Sequence, residues 1–247
     1  MVIGISGKIN SGKDLIGLII QYLISSSKDK PAEGTWTLNN FVNTSDFEIK
    51  KFADALKDMV CILLGCTREQ LEDRDFKEKE LGEEWWYYTD TLFYTEDRKL
   101  IPYIDASLYI KNSTNWYIIK LTPRLLLQLL GTECGREIIH PNIWVNALFA
   151  DYNKGRTLKL KNATTNIDTT DKWIITDMRF PNELKAVKDR GGITIRIERG
   201  STNTLGNPHP SETALDGATF NYVIYNNGTI DELIDKVKEI LIKENII

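Results

Sequence analysis

Residues 2–14 restrict the possible folds of this chain more than any other stretch. Val2-Ile3-Gly4-Ile5-Ser6 is a short apolar run that leads straight into Gly7-Lys8-Ile9-Asn10-Ser11-Gly12-Lys13-Asp14. Ile16, Ile19, Ile20 and Leu23 then recur at helical spacing. A strand, a glycine-bounded turn closing on Gly-Lys, and an amphipathic helix make the layout of a phosphate-binding loop. Gly7 and Gly12 let successive backbone N–H groups turn toward an anion. The positive end of the helix dipole adds to the same spot. Gly7, Lys8, Asn10, Ser11 and Gly12 are the expected cradle, and Lys13 is expected to reach the outer phosphates of a nucleoside triphosphate. A nucleotide ligand follows.

Position 14 is unusual. The common pattern places Ser or Thr there, with its hydroxyl on Mg²⁺, and this chain has aspartate. A carboxylate is a stronger magnesium ligand than a hydroxyl, directly or through water. We read Asp14 as metal-linked; a first-turn acid complementing the helix dipole is the alternative.

Strands alternate with helices along most of the remaining chain, which indicates an α/β fold with a mainly parallel central sheet covered on both sides. Phe47 and Ile49 open a second strand running to about Phe52. Asp54 is a possible cap for a helix whose apolar face is Leu56, Met59, Val60 and Leu63, and Thr67 with Gln70 has the form of a capping box. Residues 76–121, with Trp85-Trp86-Tyr87-Tyr88 and alternating apolar positions around Leu92, Tyr94, Leu100, Ile118 and Leu121, suggest an inserted hairpin or helical lobe. A helix starts at Thr122-Pro123 and is expected to stop at Gly131; another runs from about Pro141 to Asp151. Residues 25–46 and 153–171 read as loop, the former with a short strand near Trp36. Trp173–Thr176 is a buried strand stopping at Asp177, Pro181 opens a helix to about Arg190, and two more strands (Ile193–Ile197, Tyr222–Tyr225) precede a last helix carrying Ile230, Leu233, Ile234, Val237 and Leu241.

The net charge of −4 argues against a dedicated nucleic-acid binder. Cys61, Cys66 and Cys134 lack metal-ligand spacing and read as buried reduced thiols, hence a cytoplasmic setting. No apolar stretch reaches membrane length.

Two further regions carry chemistry. Asp177 closes a strand, where ligands of open α/β sheets sit, and Arg179 and Glu183 follow within a turn. Asp177 can support Mg²⁺ or a substrate sugar; an ion pair of Arg179 with either acid is the structural alternative. Arg124 and Gln128 share a face of a leucine-rich helix expected to be buried nearly all round, so both need partners, and a nucleobase edge with a monophosphate supplies them. Thr132, Glu133 and Arg136 extend this polar ground. Trp144 offers a face for base stacking or fills the core. Arg74 lies in a charged run. Arg196 and Arg199 precede a Gly/Asn/Pro-rich segment, residues 200–210, read as a lid, with His209, Ser211 and Glu212 within or beside it.

These blocks together resemble the bacteriophage deoxynucleoside monophosphate kinases. The resemblance is carried by Gly7–Asp14, Phe52–Lys57, Thr122–Glu133, Asn142–Val145, Thr176–Glu183, His209–Glu212 and Asn226–Thr229. It implies a P-loop three-layer kinase fold in one domain. It does not cover residues 76–121 and 153–171, which are expected to be insertions, with an inserted region binding the acceptor or forming a lid. It also implies phosphoryl transfer from ATP to a deoxynucleoside monophosphate with Mg²⁺. A homodimer is a separate expectation, formed through the aromatic insertion. By analogy, Gly12, Lys13 and Asp14 serve donor and metal, while Arg74, Arg124, Gln128, Trp144, Asp177, Arg179 and Glu183 serve the acceptor. Catalysis falls to Lys13, Arg124, Asp177 and Arg179, and Thr132 and Arg136 adjoin the acceptor. A kinase for phosphomevalonate or dephospho-coenzyme A, or a nucleotide-binding regulatory module, are the competing readings.

Overall fold

Long β-branched and apolar runs make strands that are buried on both faces, and this chain has several. The computed structural model describes residues 1–25, 46–90, 100–102, 116–152, 171–200 and 213–247. The chain divides into two compact units, residues 1–52 with 145–247, and residues 53–144.

The first unit contains β1 (Val2–Gly7), α1 (Lys13–Ile24) and β2 (Phe47–Lys50) from the N-terminal part. Its sheet has the order β2-β6-β1-β7-β8, with β6 at Lys172–Met178, β7 at Ile193–Glu198 and β8 at Tyr222–Tyr225. Every pairing in it is parallel. Alternation sorts the side chains. Ile3, Ile5, Ile174 and Ile195 join Ile16, Ile19 and Ile20 of α1 and Leu233, Val237 and Leu241 of the last helix, Ile230–Lys243. Val2, Trp173 and Ile175 instead join Leu184 and Val187 of the helix Pro181–Lys188, together with Phe52, Val145 and Phe149. Helices therefore cover both faces, the expected α/β layering.

The second unit contains α2 (Asp54–Leu64), α3 (Arg68–Glu72) and α4 (Arg74–Glu78). A small antiparallel sheet follows, ordered β4-β3-β5 from β3 (Tyr87–Thr89), β4 (Leu100–Pro102) and β5 (Tyr117–Ile119). Helix α5 (Pro123–Gln128) then passes without a break into a π-helical segment, Leu129–Ile139. Its core is Leu56, Val60, Leu71, Leu126 and Trp144. The next helix, α6 (Ile143–Phe149), spans the boundary between the units; the two helices in the C-terminal part are α7 (Pro181–Lys188) and α8 (Ile230–Lys243).

Several sequence expectations hold. The Thr67 capping box forms in full: Thr67 Oγ1 accepts the Gln70 N–H at 3.2 Å, and Gln70 Oε1 accepts the Thr67 N–H at 2.8 Å. Thr122 accepts the Leu125 N–H at 3.1 Å with Pro123 in the first helical turn.

Others are corrected. Strand β2 ends at Lys50, before Phe52. Asp54 does not cap α2: the N-cap is Ala53, and Asp54 pairs with Arg68 at 2.9 Å. On α2 only Leu56 and Val60 are buried, whereas Met59 and Leu63 are about half exposed (47% and 49%), because the helix rests on the core along one narrow line. Gly131 does not stop the leucine helix. A Cβ there would lie 2.8 Å from Leu56, and one at Gly135 would lie 2.9 Å from Trp144, so both glycines are close-packing positions inside a continuing helix. That helix is not buried all round either; Leu126 is buried, and the other leucines of 125–130 are only partly so. The helix near residue 141 starts at Ile143 and ends at Phe149. Asp177 lies inside β6, which runs one residue further. Ile230 is largely exposed. The three cysteines are free and half-buried rather than buried. Among the described residues no helix is long and apolar enough to cross a membrane. The strand near Trp36, Leu92 and Tyr94, the 153–170 loop, and the lid with His209, Ser211 and Glu212 lie outside the described residues.

Candidate active site

The turn between β1 and α1 is built by two left-handed residues. Asn10 has φ of 60° and Gly12 a φ of 100°. A β-carbon at Gly12 would also fall 2.7 Å from Asn226 Nδ2, which donates to the Ser11 carbonyl at 2.9 Å. Glycine is required twice over at that point. Lys13, 9% exposed, folds into the loop; its ammonium donates to the Gly7 carbonyl at 2.7 Å and to the Lys8 carbonyl at 2.6 Å. The Ser11 N–H bonds Lys8 O at 3.2 Å, and Arg199 Nη1 reaches Asn10 O at 3.3 Å. Ser11 Oγ is buried with no hydrogen-bond partner among the described residues. A buried hydroxyl in that state costs free energy until something bonds it, and a phosphate oxygen is a suitable acceptor. The expected residues Gly7 to Lys13 thus come together as a cradle closed around one lysine.

Asp14 is exposed on the first turn of α1. Lys51 Nζ lies 3.0 Å from its Oδ1, and Thr176 Oγ1 donates to the same oxygen at 2.9 Å. Partial burial alone would raise its pKa; the hydrogen bond and charge of Lys51, aided by Thr176 and Lys13, outweigh it and hold the carboxyl below the usual carboxylate range. Asp177 Oδ1 accepts the Phe52 N–H at 2.7 Å. Both candidate metal acids are therefore tied to the dipeptide Lys51-Phe52 just past β2.

Glu183 has a clear structural role. It is 2% exposed, and its Oε2 accepts the N–H of Arg179 at 2.7 Å and of Phe180 at 3.0 Å, fixing the turn between β6 and α7. Arg179 stands half-buried in that turn. Arg196 is buried and donates to Ser6 Oγ, Glu198 and Asp216 at 3.2, 2.9 and 2.8 Å, bracing the end of β1 against β7. A hollow of about 390 Å³ lies along β8 and α8 between Tyr222, Tyr225 and Lys243; it contains none of the expected site residues.

The second unit is described by itself. Arg124 and Gln128 lie one turn apart on α5, both half-buried, and Arg124 Nε is paired with Glu78. Thr132, Glu133 and Arg136 follow on the π-helical segment, a geometry that often marks functional positions. Glu133 Oε2 is buried without a hydrogen-bond partner among the described residues. Trp144 is corrected: only 4% exposed, with its indole N–H on Gly131 O at 2.7 Å, it fills the core and has no open face for a base. Arg74 is exposed at the start of α4.

Sequence reading missed Lys51 and Thr176, which hold Asp14, Asn226, which braces the loop from 215 residues away, and Lys57 and Lys77, which share the carboxylate of Glu72. Thr176, Asn226 and Lys57 lie in blocks that carry the resemblance but had no role assigned, and Lys77 read as one of the scattered charges that are usually solvated.

A family model described as deoxynucleotide monophosphate kinase matches residues 78–237, a span that leaves the phosphate loop to rest on its own geometry. The deoxynucleoside-5'-monophosphate kinase of Escherichia phage T5 is 24% identical over 253 residues, covering 92% of this chain and 89% of that protein. A putative deoxynucleotide monophosphate kinase of Acanthamoeba polyphaga mimivirus is 32% identical over 124 residues, 47% of this chain and 59% of its own. The deoxynucleotide monophosphate kinase of Escherichia phage RB69 is 25% identical over 118 residues, 48% and 44% respectively.

Proposed function

This chain belongs to the deoxynucleotide monophosphate kinase family, and from that premise we propose that ATP is its phosphoryl donor, Mg²⁺ its cofactor and a deoxynucleoside monophosphate its acceptor, giving the diphosphate and ADP. The observation that carries the donor assignment is the Gly7–Lys13 loop, with its left-handed Asn10 and Gly12 and its enclosed lysine.

The acceptor is already a phosphate anion, so no base is needed to make it a nucleophile. One of its oxygens attacks the γ-phosphorus, the bond to the β-phosphate oxygen breaks, and ADP leaves. Positioning and charge neutralisation do the work. Lys13 exchanges its two carbonyl acceptors for phosphate oxygens, the loop N–H groups hold the β-phosphate, and Arg124 and Arg179 serve the acceptor and the migrating group.

The donor set suits magnesium. Asp14 is ionised and exposed, Asp177 lies at the same strand ends, and no group of three or more potential metal-binding side chains exists among the described residues. Mg²⁺ is typically held by one or two carboxylates together with substrate phosphates, not in an all-protein cage. Asp14 is the proposed ligand and Asp177 its supporting acid. When bound, the ion neutralises charge on the transferring phosphates.

Gln128, Thr132 and Arg136 are assigned to the acceptor's base and sugar, and Arg74 to its phosphate; Asp177 and Glu183 act on it through the Arg179 turn. Residues 1–247 are treated as one kinase domain with insertions at about 76–121 and 153–171, working in the cytoplasm, with a homodimer as the proposed assembly. A coupled ADP-release assay with ATP, Mg²⁺ and each common deoxynucleoside monophosphate tests the whole reading. Diphosphate formation is expected; tight ATP binding with no phosphorylated product would leave a regulatory nucleotide binder.

A further inference from the structure

Where a helix ends on a left-handed glycine, the two residues joined by the closing hydrogen bond meet through their side chains, and apolar residues usually fill both places. Helix α2 ends in this way at Gly65, whose φ is 62°. The Cys66 N–H donates to the Cys61 carbonyl at 3.1 Å, and the Gly65 N–H closes on the same carbonyl. At this helix end both places are cysteines.

The backbone bond limits their separation. The path from one Cα to the other runs through a carbonyl, a 3.1 Å hydrogen bond and an amide nitrogen. The two Cα atoms therefore lie within about 7 Å, the outer limit for a disulfide that forms without backbone movement. The thiols are hydrogen-bonded to each other. Both are free and half-buried, and both pack against the core of Leu56, Val60, Leu71, Leu126 and Trp144. The outer side of the turn is open. Gly65 is exposed with Ile62 and Leu63 beside it, and among the described residues nothing lies within 4 Å of where a β-carbon on Gly65 would stand. A small reagent can reach the pair from solvent.

The two sulfurs are not equivalent. Partial burial, then the hydrogen bond and charge of Cys66 and the charge of Asp58, hold the Cys61 thiol above its usual pKa, with Arg68 opposing them. Cys61 keeps its proton, so Cys66 is the sulfur that attacks first.

We propose that Cys61 and Cys66 form a dithiol modification site that reacts with low-molecular-weight disulfides and closes an intrachain disulfide across the end of α2. The Cys66 thiolate attacks one sulfur of the small disulfide; that S–S bond breaks, and the other half leaves as a thiolate and takes up a proton. Cys61 then gives up its proton and attacks the Cys66 sulfur, the bond to the remaining half breaks, and a second small thiol leaves. Two protein thiols are oxidised and one small disulfide is reduced, with no further reactant. The reaction is separate from phosphoryl transfer and does not depend on the kinase reading.

The test begins with reduced full-length protein incubated with oxidised glutathione, alkylated and digested with trypsin. Cleavage after Lys57 and Arg68 leaves both cysteines in one peptide, residues 58–68, and Cys134 in another, residues 125–136. Peptide 58–68 is expected to lose the mass of two hydrogen atoms and to resist alkylation, while Cys134 is alkylated. Cys61→Ser should instead retain one glutathione on Cys66, because no second thiol displaces it, and Cys66→Ser should react about tenfold or more slower than Cys61→Ser. In urea, at the same ratio of oxidised to reduced glutathione, less of the disulfide should form, because the folded turn holds the two thiols together.

A glutathione adduct that persists on Cys66 of the wild-type protein would show that the sulfurs do not close, and would overturn the proposal. Pairing of either cysteine with Cys134, or an equal disulfide yield in urea, would do the same by taking the native turn out of the reaction. Faster reaction of Cys66→Ser than of Cys61→Ser would overturn the order of attack.

Discussion

At the junction of β1 and α1 the turn proposed to hold phosphate is made of backbone, whereas around Arg124 the charged ground is made of side chains brought from three helices. The loop needs two left-handed residues, a glycine that leaves room for Asn226, and one lysine. The α2–α4–α5 ground needs no special backbone but relies on long side chains, each held by an acid. Backbone cradles are set when the chain folds and change little. Side-chain ion pairs exchange partners more readily. The π-helical segment is intermediate: its Gly131 and Gly135 leave room for the side chains of Leu56 and Trp144.

The difference can be tested by substitution, beginning with the strongest expected effect. Lys13→Ala should lower kcat by roughly two to three orders of magnitude while circular dichroism stays that of the folded protein, since it removes the charged donor proposed to exchange its loop carbonyls for the transferring phosphate. Activity within a factor of a few would remove the loop from the mechanism. Gly135→Ala and Gly12→Ala should each cost roughly 1–3 kcal/mol of stability in urea denaturation, the first by crowding a packed interior and the second by strain at a positive φ. Only Gly12→Ala should also raise the ATP KM; a shift from Gly135→Ala would blur the two kinds of site.

Arg124→Ala should raise the acceptor KM by about tenfold with ATP KM unchanged, as expected for loss of one charged contact. An unchanged acceptor KM takes Arg124 out of the site. The smallest effect is expected from Lys51→Met, about 0.2–1 kcal/mol in chemical denaturation, because its partner Asp14 is exposed. Asp14 has a lowered folded pKa, so its stabilisation is present above the unfolded carboxylate range and is lost as pH falls through the folded value. Lys51→Met should flatten that acid-side loss; an unaltered pH profile would assign the support of Asp14 to Thr176.

Much of this was readable from the residues. Ile16, Ile19 and Ile20 gave α1 its buried face, and Thr67 with Gln70 and Thr122 with Pro123 marked two helix starts, because caps and periodicity are local. The leucine helix was misjudged for the opposite reason. Gly131 reads as a stop unless one knows that Leu56 presses against it, and Leu125, Leu127, Leu129 and Leu130 read as core unless one knows how little of the helix is covered. Trp144 offered two readings of equal standing, and only its 4% exposure and its bond to Gly131 chose the core. Lys57, Glu72 and Lys77 looked like ordinary surface charges in sequence.

What the sequence determined unaided was the parallel layered sheet and the tight glycine turn between β1 and α1, since strand periodicity, glycine placement and a helix start act over a few bonded neighbours. The tertiary structure decided which charges meet. Lys51 on Asp14, Asn226 on Ser11 and two lysines on one glutamate join positions from 5 to 215 residues apart. Coulomb attraction and burial depend on distance in space, which chain order does not specify.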